Sequence, residues 1–214
     1  LDKFYPRSFN MGVQANLYNH LGGFSRMRFG EDIDLSIRIF ESGAKCRLFP
    51  EAWVWHKRRT DLKKFFKQVH NSGIARINLM KKHPGSLKLV HLLPAIFTVG
   101  TVFLLLATLL CLISAGVSLW HLQSTPEWES GPAVCFKASM LGAGIFLLPL
   151  LLFSLIIFVD SAIRNKSAKI GFLSTSASFI QLLGYGTGFL RAWWLRCVCG
   201  RDEELQAFKN NFYQ

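Results

Sequence analysis

The sequence predicts an α/β polar region at the start of the chain, then a basic amphipathic helix, then three membrane-spanning helices. Three observations carry this expectation. Half of the 214 residues are hydrophobic, 14% are aromatic and the mean hydropathy is positive, a composition too apolar for an ordinary soluble domain. The apolar residues gather in uncharged runs: Asp, Glu, Lys and Arg are absent between Lys88 and Glu127, from Ala138 to Val159 and from Ile170 to Leu190. Before those runs, three of only thirteen Asp and Glu residues crowd into Glu31-Asp32-Ile33-Asp34, ahead of short apolar segments punctuated by Gly and Pro.

The chain starts at Leu1, without an initiator methionine or a charged-then-apolar signal sequence, and reads as the C-terminal portion of something longer. Asn10 to Phe24 ends in the turn signal Gly22-Gly23. From Ile33 to Ile39 apolar residues alternate with polar ones, which by periodicity alone reads as a strand. Three features favour a helix instead: the i, i+4 spacing of Asp34 and Arg38, the acids at the end where the helix dipole favours them, and Gly43 where a terminating glycine belongs. On that reading Glu31 and Asp32 could be helix-capping residues and nothing more. Cys46 to Pro50 and Trp53 to His56 read as short strands around a proline turn.

Asp61 to His83 alternates apolar blocks (Leu62, Phe65, Phe66, Val69, Ile74, Ile77, Leu79) with Lys63, Lys64, Lys67 and Arg76, the pattern of an interfacial helix, with a break expected at Ser72-Gly73. The net charge of +12 is concentrated here. Lys57, Arg58, Arg59, Lys63, Lys64, Lys67, Arg76, Lys81, Lys82 and Lys88 all precede the first membrane run, where each attracts anionic headgroups with about 1 kcal/mol. That placement points to membrane lipids as partners, and no zinc-knuckle, RNP-like or basic-zipper pattern supports nucleic acid. Each uncharged run meets the requirement of about 20 apolar residues for a spanning helix. The expected organisation is 1–59 polar domain, 60–88 amphipathic region, 89–200 membrane domain with spans near 90–120, 136–159 and 170–190, and a polar tail at 201–214. The basic flank and Arg164, Lys166 and Lys169 should be cytoplasmic, with His121 to Ala133 outside. The third run would then send Arg191, Arg196, Arg201 and Lys209 outward, so either the tail is tolerated there or that run is re-entrant. Gly184 and Gly188 have the spacing of close helix packing. Five cysteines without metal spacing read as free thiols.

The order Gly22-Gly23-Phe24, Gly30-Glu31-Asp32-Ile33-Asp34-Leu35, Arg38, Gly43, Pro50 and Val54-Trp55-His56 resembles the second half of the catalytic domain of family 2 glycosyltransferases, inverting nucleotide-sugar enzymes of the GT-A type. The resemblance covers roughly residues 7 to 80 and implies a partial GT-A domain of α/β class. It implies Asp32 as the base that deprotonates the acceptor hydroxyl, Glu31 beside it at the acceptor site, and Asp34 with Arg38 as a structural pair. Gly22, Gly23, Gln68 and Arg76 would bind substrate, although the Gln-x-x-Arg-Trp form of polysaccharide synthases is absent after Gln68. His56 would lie near a divalent cation, Mg2+ or Mn2+, at the diphosphate; its other reading is a strand-end histidine beside a basic cluster. The implied partners are a nucleotide-sugar donor and a lipid-linked or envelope glycan acceptor. The implied location is a bacterial inner membrane with the catalytic part cytoplasmic. The family's Asp-x-Asp donor motif does not occur before Gly30, so the 214 residues alone are expected to be inactive. The alternative is a noncatalytic membrane anchor or scaffold that binds anionic lipid or a partner.

Overall fold

The computed structural model describes residues 5–27, 29–56, 60–124 and 131–201, so Lys57, Arg58 and Arg59, most of the expected outer loop and nearly all of the polar tail lie outside the described residues. The chain divides into two compact units, Leu1–Leu93 with Gly184–Gln214, and Pro94–Leu183.

In the first unit a short helix α1 (Ala15–His20) leads into the Gly22-Gly23 turn, both glycines with positive φ, and then into α2 (Glu31–Glu41). Gly30 caps α2 with φ +87°, a left-handed conformation that glycine adopts without strain. It also lets the backbone approach α3 (Leu62–Lys82), since a Cβ on Gly30 would sit 3.0 Å from a Leu79 methyl. The helix wins over the alternating pattern of Ile33 to Ile39 because the acidic first turn and the Asp34–Arg38 pair both need helical spacing. Ile33 and Leu79 close around Met27, with Ile37 packed against them. Burying a side chain of this kind is worth about 1.5–3 kcal/mol.

α3 begins at Asp61, whose carboxylate accepts the Lys64 N–H at 2.8 Å, and runs unbroken through Ser72-Gly73, against the break expected there. Gly73 is needed for contact instead. α3 crosses the end of α6 (Ala168–Trp193) so closely that a Cβ on Gly73 would collide with the Tyr185 carbonyl and one on Gly188 with the His70 carbonyl. Gly184 faces Val69 and Phe66. The small residues spaced four apart in the sequence therefore admit α3. Gly188→Val is expected to lower stability by about 1–3 kcal/mol, the cost of overpacking a tight contact, and thermal unfolding in detergent measures it. An unchanged unfolding midpoint would mean that the crossing is loose.

The second unit is built from α4 (Leu93–Ser124, its first residue belonging to the other unit), α5 (Gly131–Arg164) and the start of α6. Phe97, Phe153 and Phe179 meet with ring centroids 5.0 to 5.9 Å apart, and the Ser161 and Ser174 hydroxyls bond at 2.6 Å across the α5–α6 turn. Leu89–Leu122 and Gly131–Arg164 are long and apolar enough to cross a membrane, and only 17% and 6% of their most apolar stretches are buried within the chain. Helices apolar all round and left uncovered need an apolar surrounding, which points to membrane association.

Two expectations fail. The described residues contain no strand or sheet, so the α/β GT-A class is not what this chain forms. Residues 46–50 and 53–56 have strand-like composition, but a strand needs a neighbour for its backbone N–H and C=O groups. Here a tight turn joins them (Ala52 N–H to the Phe49 carbonyl, 3.1 Å), and Leu48, Phe49, Trp53, Val54 and Trp55 are all exposed. The third membrane run also fails among the described residues, where two helices and not three pass as spans. The run is uncharged but not apolar enough: Ser174, Thr175, Ser176, Ser178 and Gln181 dilute it, and its last part packs on α3.

Candidate functional site

The first turn of α2 holds three carboxylates in three different environments. Asp34 is fully buried. Its Oδ2 accepts from Arg38 Nε and Nη2 at 3.0 and 2.8 Å, and its Oδ1 lies 2.7 Å from both Lys82 Nζ and His83 Nε2. Burial by itself pushes this carboxyl up, but bonds from Lys82, His83 and Arg38 outweigh it and hold the group down at about 2. Arg38 extends the network, donating to the carbonyls of Leu21 and Gly23 at 2.6 Å each, so the Gly22-Gly23 turn is fastened to α2. A carboxylate with so low a pKa and so many donors has no lone pair to spare and no tendency to take a proton near neutrality.

Asp32 is differently placed. It is 7% exposed, its Oδ1 accepts the Ile33 N–H at 2.9 Å, and Arg7 Nη1 stands 3.6 Å from its Oδ2. The Ser36 hydroxyl donates to its backbone carbonyl at 2.7 Å. Among the described residues no lysine or histidine holds this side chain, and Oδ2 faces the Arg7 guanidinium at a distance. Glu31 is half-buried; burial pushes its carboxyl up, and the neighbouring Asp32 charge adds to that. Glu31 and Asp32 thus lie outside the Lys82–His83–Arg38 network that holds Asp34.

The other residues named from sequence do not gather here. Gly23 touches the site through its carbonyl on Arg38, and Gly22 lies between it and Leu21, the other carbonyl that Arg38 holds. Gln68 is exposed on the first half of α3, and Arg76 hydrogen-bonds the Tyr185 hydroxyl; neither forms a hydrogen bond or ion pair with Glu31 or Asp32. His56 is exposed, its ring stacked on Phe9 at 4.4 Å. Among the described residues no group of three or more His, Cys, Asp or Glu converges as a metal site. Lys82 and His83 are the residues that sequence reasoning missed. Lys82 was counted with the lipid-facing cluster, whereas it sits on a buried carboxylate. The available signal was Asp34 itself, a buried acid that needs more than one cation.

No family profile matches the chain, and no solved structure matches it. The chain is 33% identical over 81 residues to the pre-mycofactocin glycosyltransferase of Mycobacterium tuberculosis, in sequences from two strains. The match takes in 37% of this chain and 17% of the relative, so the chain spans a small part of that protein's length. The chain is thus similar to a glycosyltransferase.

Proposed function

We propose that this chain belongs to a membrane-associated glycosyltransferase that transfers a sugar from a nucleotide-sugar donor, with inversion, to a hydroxyl of a lipid-linked or glycan acceptor. The observation that carries the reading is the 81-residue similarity to a glycosyltransferase. The unequal carboxylates of α2 support the assignment of roles. Asp34 is held as a permanent anion by α3 and Arg38, leaving Asp32 as the base and Glu31 as its neighbour in the acceptor site. In the proposed step the acceptor oxygen attacks the anomeric carbon while its proton passes to Asp32. The bond from that carbon to the diphosphate oxygen breaks, and the nucleoside diphosphate leaves with the electron pair. Two helices apolar enough to cross a membrane support an acceptor held at a bilayer.

The stereochemistry of the product tests this. With a nucleotide sugar of defined α configuration, NMR of the product is expected to show a β linkage. A retained α linkage would need a covalent intermediate or front-face attack, and would remove Asp32 from the role of base.

A further inference from the structure

Away from the Asp32 carboxylate, the loop after the Gly22-Gly23 turn, the end of α3 and the segment after α6 enclose a cleft of about 470 Å3, lined by Ser25, Arg26, Met27, Asn78, Lys81, Lys82 and Arg196. Four of these seven residues are cationic and none carries a carboxylate. A pocket of this size takes a small-molecule headgroup, and its charge selects an anion. Asn78 sharpens the selection. It is 4% exposed, its Oδ1 accepts from the Arg196 guanidinium, and that bond fixes the amide so that Nδ2 is the remaining donor. Nδ2 is buried and has no hydrogen-bond partner among the described residues. A buried amide donor without an acceptor costs about 1–3 kcal/mol, and an oxyanion in the cleft would satisfy it together with the cationic heads.

We infer that this cleft is a phosphate-binding site, built to hold the phosphate or diphosphate of a ligand by charge-assisted hydrogen bonds from Arg26, Lys81, Lys82 and Arg196 and by the Asn78 amide. Phosphate matches this set better than a single carboxylate does, because its three or more oxygens accept from several donors at once and pair bidentately with arginine. Lys82 Nζ also touches Asp34 Oδ1, so the site shares a cation with the network that holds α2. The ligand's phosphate comes either from a lipid headgroup or from a soluble phosphate ester. The site stands whether or not the chain transfers sugar.

The test measures binding to the whole chain with two probes. Inorganic pyrophosphate is titrated calorimetrically into the protein in detergent, and bilayer nanodiscs of phosphatidylcholine with and without phosphatidic acid are compared for protein binding. The cleft variant Arg26→Gln with Lys81→Gln is set against Lys63→Gln with Lys67→Gln, which removes the same charge from the exposed face of α3. Saturable pyrophosphate binding that weakens about tenfold or more in the cleft variant and less than about twofold in the control supports a soluble phosphate ligand, tenfold corresponding to about 1.4 kcal/mol. The same contrast seen only with phosphatidic acid supports a lipid phosphate. Asn78→Asp, which turns a carboxylate into the cleft while keeping an acceptor for Arg196, should weaken binding of whichever probe is active by at least as much. Circular dichroism and the unfolding midpoint establish that each variant is folded. Absence of saturable binding to either probe, or equal loss in the cleft and control variants, overturns the proposal.

Discussion

Replacing Asp34 with alanine is expected to destabilise the protein by about 3–5 kcal/mol, the cost of breaking a buried ion pair by removing one partner. The loss is large because one carboxylate serves three side chains. Arg38 on α2 and Lys82 at the end of α3 would face each other without the anion between them, and His83 would lose the oxygen 2.7 Å from its ring. Chemical denaturation in detergent measures the change. A loss below about 1 kcal/mol would show that solvent replaces the carboxylate readily. The pH dependence has a definite sign. Because the folded-state carboxyl is held at about 2, below its ordinary 3.8, its stabilising contribution is complete above the ordinary value and is lost as the pH falls through the folded one. Between pH 4 and pH 2 the wild type should lose stability that Asp34→Asn, already uncharged, does not have to lose.

Replacing Asp32 with asparagine should leave the fold and remove the reaction. The amide oxygen can still accept the Ile33 N–H, and the ion-pair contact given up among the described residues is that with Arg7 at 3.6 Å on an exposed side chain, so the unfolding midpoint should barely move. An amide cannot accept the acceptor's proton, so kcat for sugar transfer should fall by about 10²–10⁴, the usual contribution of a general base. Transfer within a few fold of wild type would end the assignment. Two substitutions two residues apart are thus expected to separate, one lowering stability and the other turnover, which a general weakening of α2 would not produce.

How much of this could be read from sequence depended on the range of the interaction. α2 was legible because its determinants are local: the acids of the first turn and the Asp34–Arg38 spacing lie within it, and Gly43 follows its C-cap Ser42. α4 and α5 were legible for the same reason, as composition over one continuous stretch decides whether a helix can sit in lipid. Residues 46–56 misled because alternation and aromatic content describe a surface that suits a sheet and say nothing of whether a partner strand is there to receive it. The 170–190 run misled because absence of charge was taken for apolarity, although Ser174, Thr175 and Ser176 bond backbone or neighbouring groups and Gln181 adds a further polar side chain. The candidate site was half legible. Its carboxylates stood out as a motif, but what tells them apart, Lys82 and His83 on Asp34, comes from residues 48 and 49 positions away in a basic stretch with a ready surface explanation.

The glycine crossing of α3 and α6 bears on the order in which the chain can be assembled. His70 meets Thr187 across 117 residues and Asn78 meets Arg196 across 118, so α3 is synthesised long before the surface that covers it. Closing so long a loop carries an entropic cost that local helices avoid. In the interval Val69, Gly73 and Ile77 present an uncovered apolar stripe while both lipid-compatible helices are still being made. Asp34 receives Lys82 and His83 from the C-terminal end of α3, so the anchoring of α2 depends on a helix whose middle is covered only after α6 has been made.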